Sequence, residues 1–377
     1  MKKRLTLVAA FALVFGLVIA PMAVSADTIR LGLMAPLTGK WANEGQEMKK
    51  VVDLLAEELN KKGGVLGMKV EVIAEDDAGD PRQGALAAQR LATRGVPAVI
   101  GTYGSSTSEA TQGIYDENEM IQIVNASTAV RLSEKGLKYF FRSCPRDDEQ
   151  GIVAARALIA RGFKKIALLH DNTSYAKGLA DEIKRELANQ KVTPVFFDAL
   201  TPGEQDYATI LTKLKSAGAD VVFYSGYYPE AGLMLRQKKE MGFDIPFMGG
   251  DATNNPDLIK AAGKAAAAGY ELVSPPMPGD LPSAEAQAFL KAYKAKHGEI
   301  PGSIWSVLAG DGFYILVGAI RGAGAADAKK MAAYMKEKMK DFLGLTGRLS
   351  FNEKGDRVGD VYRLYKVDAE GNFILQN

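Results

Sequence analysis

The sequence predicts an α/β protein built as two lobes, each a parallel central sheet covered by helices. Apolar runs of strand length alternate with amphipathic stretches of helix length, the pattern of parallel strands joined by helical crossovers. The alternation restarts near residue 148. The 377 residues also exceed the ~250–300 that one hydrophobic core usually organises.

The elements follow in order. "IRLGLMAPL" reads as a strand. "WANEGQEMKKVVDLLAEELNKKGG" reads as a helix, with apolar residues at 48, 51, 52, 55, 56 and 59 and a glycine end. "KVEVIAED", the helix "DPRQGALAAQRLATRG", "PAVIGT", a helix over 107–119 and "MIQIVNAS" complete the first block. In the second, the helix "DEQGIVAARALIARGF" leads into "KKIALLHD", "AKGLADEIKRELANQK" into "TPVFFDAL", "DYATILTKLKSAGA" into "DVVFYSGY", and "PEAGLMLRQKKEMGF" into "PFMGGDA". "VSPPMPGDLP" (273–282) is the richest Pro/Gly stretch and reads as a linker. Helices 283–297 and 303–322 have no strand between them and are expected to return to the first lobe. A strand pair, "GRLSFNEKGDR" and "VYRLYKVDAEGNFIL", closes the chain with "EKGD" and "AEGN" as turns.

The first 26 residues read as a signal peptide cleaved after Ala26: "MKKR", a short apolar run and "VSA". No later segment reads as apolar over the length of a membrane span. Losing Lys2, Lys3 and Arg4 takes the net charge from +2 to −1, which leaves no basic excess for a nucleic acid. The single cysteine, Cys144, has no disulfide partner in the chain and reads as a small buried apolar residue. With two histidines and no Cys/His cluster, neither a metal site nor a cofactor is expected.

Open α/β sheets present ligands at the C-terminal ends of their strands. Those ends carry Trp41 and Glu44, then Tyr103, Gly104 and Ser105, then Ala126, Ser127 and Thr128 in the first block. In the second they carry Tyr175, Tyr227 and Asp251. Ser105 and Ser106 stand at the mouth of a helix whose first N–H groups are free, a place that attracts an anion such as a carboxylate. The Ala126 carbonyl, the Thr128 hydroxyl and the Asp251 carboxylate suit an ammonium. Together they suit a small zwitterion, although N-capping is an equally ordinary job for Ser105, Ser106 and Thr128. Glu44 also fits a solvated acid in the first turn of a helix. No phosphate loop or nucleophile elbow is present, and adjacent His170 and Asp171 point to opposite faces of a strand.

"IRLGLMAPLTG", "ELNKKGGVLGMKVEVIAEDDAGDP", "VIGTYGSSTS", "IVNASTA", "FRSCPRDDEQG", "HDNTSYAKGLADEIKRELA", "GYYPEAG" and "FNEKGD" resemble the periplasmic leucine/isoleucine/valine-binding proteins. These are the receptors of branched-chain amino-acid ABC importers, in the type I periplasmic binding protein class. The resemblance covers the mature chain in order. It implies two Rossmann-like lobes joined by a three-strand hinge with crossovers near 146–148, 274–276 and 353–356. The first lobe would take 27–146 and 275–354, and the second 147–274 and 355–377. It further implies ligand contacts at Ser105, Ala126 and Thr128 on one lobe and at Tyr175, Tyr227 and Asp251 on the other, with Asp251 in place of the usual glutamate. The implied function is capture of a free amino acid by hinge closure and delivery to membrane permease subunits. The implied protein is a periplasmic monomer and no enzyme.

Two departures bear on specificity. Glu44 and Ser303 stand where the family carries aromatics against the ligand side chain, with Tyr103 beside that pocket and Trp41 three residues before Glu44. Gly79 and Gly104 stand where some members carry a bridged cysteine pair. Another ligand therefore stays open on the same fold: a polar or aromatic amino acid, an amide or an aromatic acid.

Overall fold

The computed structural model describes residues 28–359 and 361–376. The signal-peptide expectation falls on residues 1–26, outside the described residues. The first sheet is wound from β1 (Thr28–Ala35), α1 (Ala42–Lys61), β2 (Lys69–Asp76), α2 (Pro81–Thr93), β3 (Ala98–Ile100), α3 (Ser105–Glu117), β4 (Ile121–Val124), α4 (Arg131–Glu134) and β5 (Phe140–Arg142). Its strand order is β2-β1-β3-β4-β5, and every pair is parallel. The order reverses beside β1, which opens a crevice at the carboxyl ends of β1 and β3.

The second winding runs α5 (Asp147–Ala160), β6 (Ile166–His170), α6 (Ser174–Asn189), β7 (Phe196–Ala199), α7 (Ala208–Ser216), β8 (Val221–Ser225), α8 (Tyr228–Glu240), β9 (Phe247–Gly249), α9 (Pro256–Ala262), α10 (Lys264–Ala267) and β10 (Glu271–Ser274). The chain then returns through α11 (Ala284–His297), α12 (Ile304–Ala323) and α13 (Ala328–Glu337), with α12 packed on α1, β3 and β4 as the absence of an intervening strand predicts. By length and composition α12 could cross a membrane, contrary to the reading that no later segment is so apolar. Its apolarity has another cause: it is a core helix, with Ile304, Trp305, Val307, Leu308, Phe313, Ile315 and Leu316 all buried.

The C-terminal region departs from the single strand pair expected. β11 (Phe342–Gly344), β12 (Gly347–Phe351) and β13 (Arg357–Val358) make a small antiparallel sheet, while β14 (Arg363–Val367) and β15 (Phe373–Leu375) extend the second sheet beside β10. The "EKGD" and "AEGN" turns are real, but each closes its own hairpin in a different sheet.

Three chain passages join the lobes, after β5, after β10 and between β13 and β14. Charge pins the first and third of these together. Arg142 and Asp356, both fully buried, pair at 2.6 Å, and Arg146 reaches the other Asp356 oxygen at 2.6 Å. The Arg142 N–H also donates to the Gly355 carbonyl at 2.9 Å. Removing one member of such a buried pair strands the other's charge, at a cost of about 3–5 kcal/mol.

Candidate functional site

The lobes meet face to face along the carboxyl ends of their strands. From the first lobe come Trp41 and Glu44 at the start of α1, Tyr103 to Ser105 at the start of α3, and Ala126 to Thr128 after β4. From the second come Tyr175 in the first turn of α6, Tyr227 just before α8, and Asp251 in the turn after β9. All of them are buried. Contacts cross the crevice along its length. Ser174 N–H donates to Ser106 Oγ at 3.1 Å, the Tyr228 hydroxyl to the Lys40 carbonyl at 3.2 Å, and Asn255 Nδ2 to Glu44 Oε1 at 2.7 Å. The Trp41 and Tyr227 rings lie 4.1 Å apart, centre to centre. This is a closed arrangement.

One end of the crevice is acidic. Asp251 accepts from the Tyr175 hydroxyl at 2.9 Å and from the Tyr362 hydroxyl at 3.0 Å. Gly250 makes this approach possible, because a Cβ there would stand 2.5 Å from the Tyr175 hydroxyl. Burial pushes the Asp251 carboxyl up to about 7, against the lowering effect of the two phenols. Asp147 opens α5 with both carboxyl oxygens buried and without hydrogen-bond partners. Burial first, and the nearby Asp251 second, raise its carboxyl well above the usual range. Thr128 lies against it: its carbonyl accepts from the Asp147 N–H at 3.0 Å, and its buried hydroxyl stands near enough to the Asp147 carboxyl to lower it against those raising effects. Buried acids with unused oxygens are a site prepared for a cation.

The neighbouring wall is built for an anion. In α3 the first helical hydrogen bonds are those of Thr107 and Ser108 to the Gly104 carbonyl, so the N–H groups of Ser105 and Ser106 precede the ladder and face outward with the positive end of the helix dipole. The residue capping α3 is Gly104, with no side-chain cap. Neither serine therefore has the capping job the sequence left open. Ser105 Oγ accepts from Ala129 N–H at 3.3 Å, which leaves its proton free to donate. Gly104 sits close under the Trp41 ring, which a Cβ would meet at 3.1 Å and push back by a few tenths of an ångström. Ser127 is turned the other way, with its hydroxyl 2.7 Å from that of Ser108 and donating to the Thr102 carbonyl at 3.0 Å.

An aromatic wall links the two ends. Tyr175 and Tyr227 rings are 5.3 Å apart, Tyr227 and Tyr103 5.7 Å, and Trp41 and Tyr103 5.4 Å. His170 and Asp171 serve the local turn instead, accepting from the N–H groups of Asn172 and Thr173. Cys144 is buried, its thiol pushed up to about 12, and unreactive.

A profile of the family described as periplasmic binding protein matches residues 28–372. The chain belongs to that family. It is 35% identical over 360 residues to the Leu/Ile/Val-binding protein BraC3 of Rhizobium johnstonii, covering 95% of this chain and 96% of that one. It is 33% identical over 353 residues to the leucine-, isoleucine-, valine-, threonine- and alanine-binding protein of Pseudomonas aeruginosa, covering 92% of each. The structure of the branched-chain amino acid transporter substrate-binding protein LivJ of Streptococcus pneumoniae, in complex with isoleucine, superposes with a TM-score of 0.84 at 28% identity, over 93% of this chain and 100% of that one. The two-lobed fold with parallel sheets is thus that of a type I periplasmic binding protein.

Sequence reasoning missed Asp147, Tyr362 and Asn255. Asp147 was legible, as an acid opening the helix that follows the first crossover. Tyr362 carried no local signal, because it reaches Asp251 from 111 positions away on the last passage between the lobes.

Proposed function

We propose that the protein is the substrate-binding receptor of an ABC importer and captures a free α-amino acid of the branched-chain class between its lobes. The observation that carries this reading is the pairing of opposite surfaces in one crevice. Unpartnered carboxyl oxygens of Asp147 and the phenol-held carboxylate of Asp251 stand at one end, and the start of α3 with Ser105 stands beside them. An ammonium at the acids and a carboxylate at the helix mouth neutralise both. Either pole buried alone is strongly disfavoured, so plain acids and plain amines are rejected.

A micromolar dissociation constant corresponds to about −8 kcal/mol. Charge-assisted hydrogen bonds of ~1.5–3 kcal/mol each and one buried aliphatic side chain worth ~1.5–3 kcal/mol reach that figure after the cost of closure. Residues 27–146 and 275–354 form the lobe that receives the ligand. Residues 147–274 form the lobe that swings shut, joined by the β14–β15 hairpin rather than by everything after 354, because the β12–β13 hairpin stays on the near side of the third passage. The closed monomer docks on the permease subunits from the periplasm after cleavage at Ala26. The protein performs no catalysis and needs no cofactor.

The test is to denature the purified protein, identify the released small molecule by mass spectrometry, and titrate the refolded protein calorimetrically with the twenty amino acids. Release and binding of leucine, isoleucine or valine support the proposal. Binding of a molecule lacking either charged pole overturns it.

A further inference from the structure

The end of the crevice away from Asp251 is polar, and nothing in a hydrocarbon side chain uses that polarity. Glu44 lies three residues along α1 from Trp41, so both occupy one face of the helix. It is almost completely buried. Its Oε1 accepts from Asn255, and its Oε2 has no hydrogen-bond partner. The Tyr103 hydroxyl and Trp41 Nε1 are likewise buried and unpartnered. Tyr103 is close enough to Glu44 for that carboxyl to raise its phenol, second only to burial. The Ser303 side chain is near enough to Glu44 to lower its carboxyl as a hydrogen-bonding neighbour. The Tyr103 hydroxyl and Trp41 Nε1 are thus left without partners beside a carboxyl with one oxygen to spare, at the end of the crevice that the zwitterion reading leaves for the side chain.

We propose that Glu44, with Tyr103 and Trp41, sets the side-chain specificity of this crevice. They make it accept α-amino acids whose side chain carries a neutral hydrogen-bonding group, a hydroxyl or a carboxamide, at least as readily as the hydrocarbon of the same shape. The proposal rests on the zwitterion reading of the opposite end and concerns only the side chain. Burial, with Glu47 beside it, pushes the Glu44 carboxyl up to about 8, so at neutral pH its free oxygen carries a proton and both donates and accepts. A cationic side chain fits poorly, because the Lys40 ammonium lies 4.4 Å from the centre of the Trp41 ring. A second role for Glu44, holding the lobes together through Asn255, would act on every ligand alike. That difference separates the two.

The experiment is calorimetry with two isosteric pairs, threonine against valine and asparagine against leucine, on the refolded wild type and on Glu44→Leu and Glu44→Gln. In the wild type the polar member of each pair binds within about threefold of its isostere or tighter, because a site that hydrogen-bonds a side chain penalises the analogue lacking the group. Glu44→Leu shifts both ratios toward the hydrocarbon by about tenfold or more, and Glu44→Gln leaves them within about threefold. A wild-type preference for valine and leucine of about a hundredfold overturns the proposal, as does a Glu44→Leu variant that weakens both members equally. If Glu44→Leu does not fold, the wild-type ratios and Glu44→Gln decide. Failure of the zwitterion reading looks different: none of the twenty amino acids binds the wild type at all.

Discussion

Tyr362 donates a 3.0 Å hydrogen bond to Asp251 Oδ2, joining the last passage between the lobes to the acid at one end of the crevice. A residue on the passage between the lobes thus holds the acid of the proposed binding site, so closure and ligand capture would share a residue. Removing this donor in Tyr362→Phe leaves the ring in place and takes away one bond to a charged acceptor, worth ~1.5–3 kcal/mol. The expected result is a lower melting temperature together with an amino-acid dissociation constant raised about tenfold or more, read by thermal unfolding and calorimetry.

Asp251→Asn keeps the shape and loses the charge proposed to meet the ammonium. Truncating one partner of a buried charge pair costs about 2–5 kcal/mol. Binding is expected to weaken at least about thirtyfold at pH 8, with circular dichroism unaltered. Unchanged affinity would remove the ammonium from the reading.

The same acid predicts a pH dependence. Its carboxyl is raised from 3.8 to about 7 by burial. For an acid raised on folding, the stabilising contribution is complete below 3.8 and is lost as pH climbs from there to about 7. A bound ammonium reverses the preference, because it requires the carboxylate. Affinity therefore falls by up to about tenfold per unit as pH drops below about 7. The ligand-induced rise in melting temperature is larger at pH 8 than at pH 5.

Trp41 stacks on Tyr227 across the crevice at 4.1 Å, whereas Trp305, the other of the two tryptophans, is buried within α12. Opening of the lobes changes the surroundings of Trp41 alone. Ligand addition is expected to change the intrinsic fluorescence of the wild type and of Trp305→Phe, and to leave Trp41→Phe silent.

Arg142→Leu leaves Asp356 facing Arg146 alone in a buried hinge. The expected loss is about 3–5 kcal/mol of unfolding free energy, measured by denaturant titration. The double variant Arg142→Leu/Asp356→Leu is expected to lose less.

The alternating fold was legible because each crossover helix and each buried strand imprints its own period on the residues around it. The return of α12 to the first lobe followed from a missing strand between two helices. The C-terminal hairpins were misjudged because a strand's sequence records that it is a strand, not which sheet it joins. β12 and β14 look alike in sequence and end in different sheets. In the site, the strand-end rule put Ser105, Thr128, Tyr175, Tyr227 and Asp251 on one crevice. It also included Ser127, whose hydroxyl is turned toward Ser108; side-chain direction in an irregular loop has no periodicity to betray it. The burial of Glu44 was invisible for the reason Tyr362 was. Each depends on a residue far away in the chain, Asn255 in one case and Asp251 in the other.

The hairpin of β14 and β15 lies at the end of the chain, yet β14 pairs with β10 inside the second sheet. A polypeptide delivered N-terminus first can finish its first sheet early, but β10 gains its antiparallel neighbour, and Asp251 its second phenol, only after the return helices and the small antiparallel sheet have emerged. The second sheet is therefore stitched shut by a segment made long after its other strands, and shearing β14 away from β10 would open a seam beside the acid.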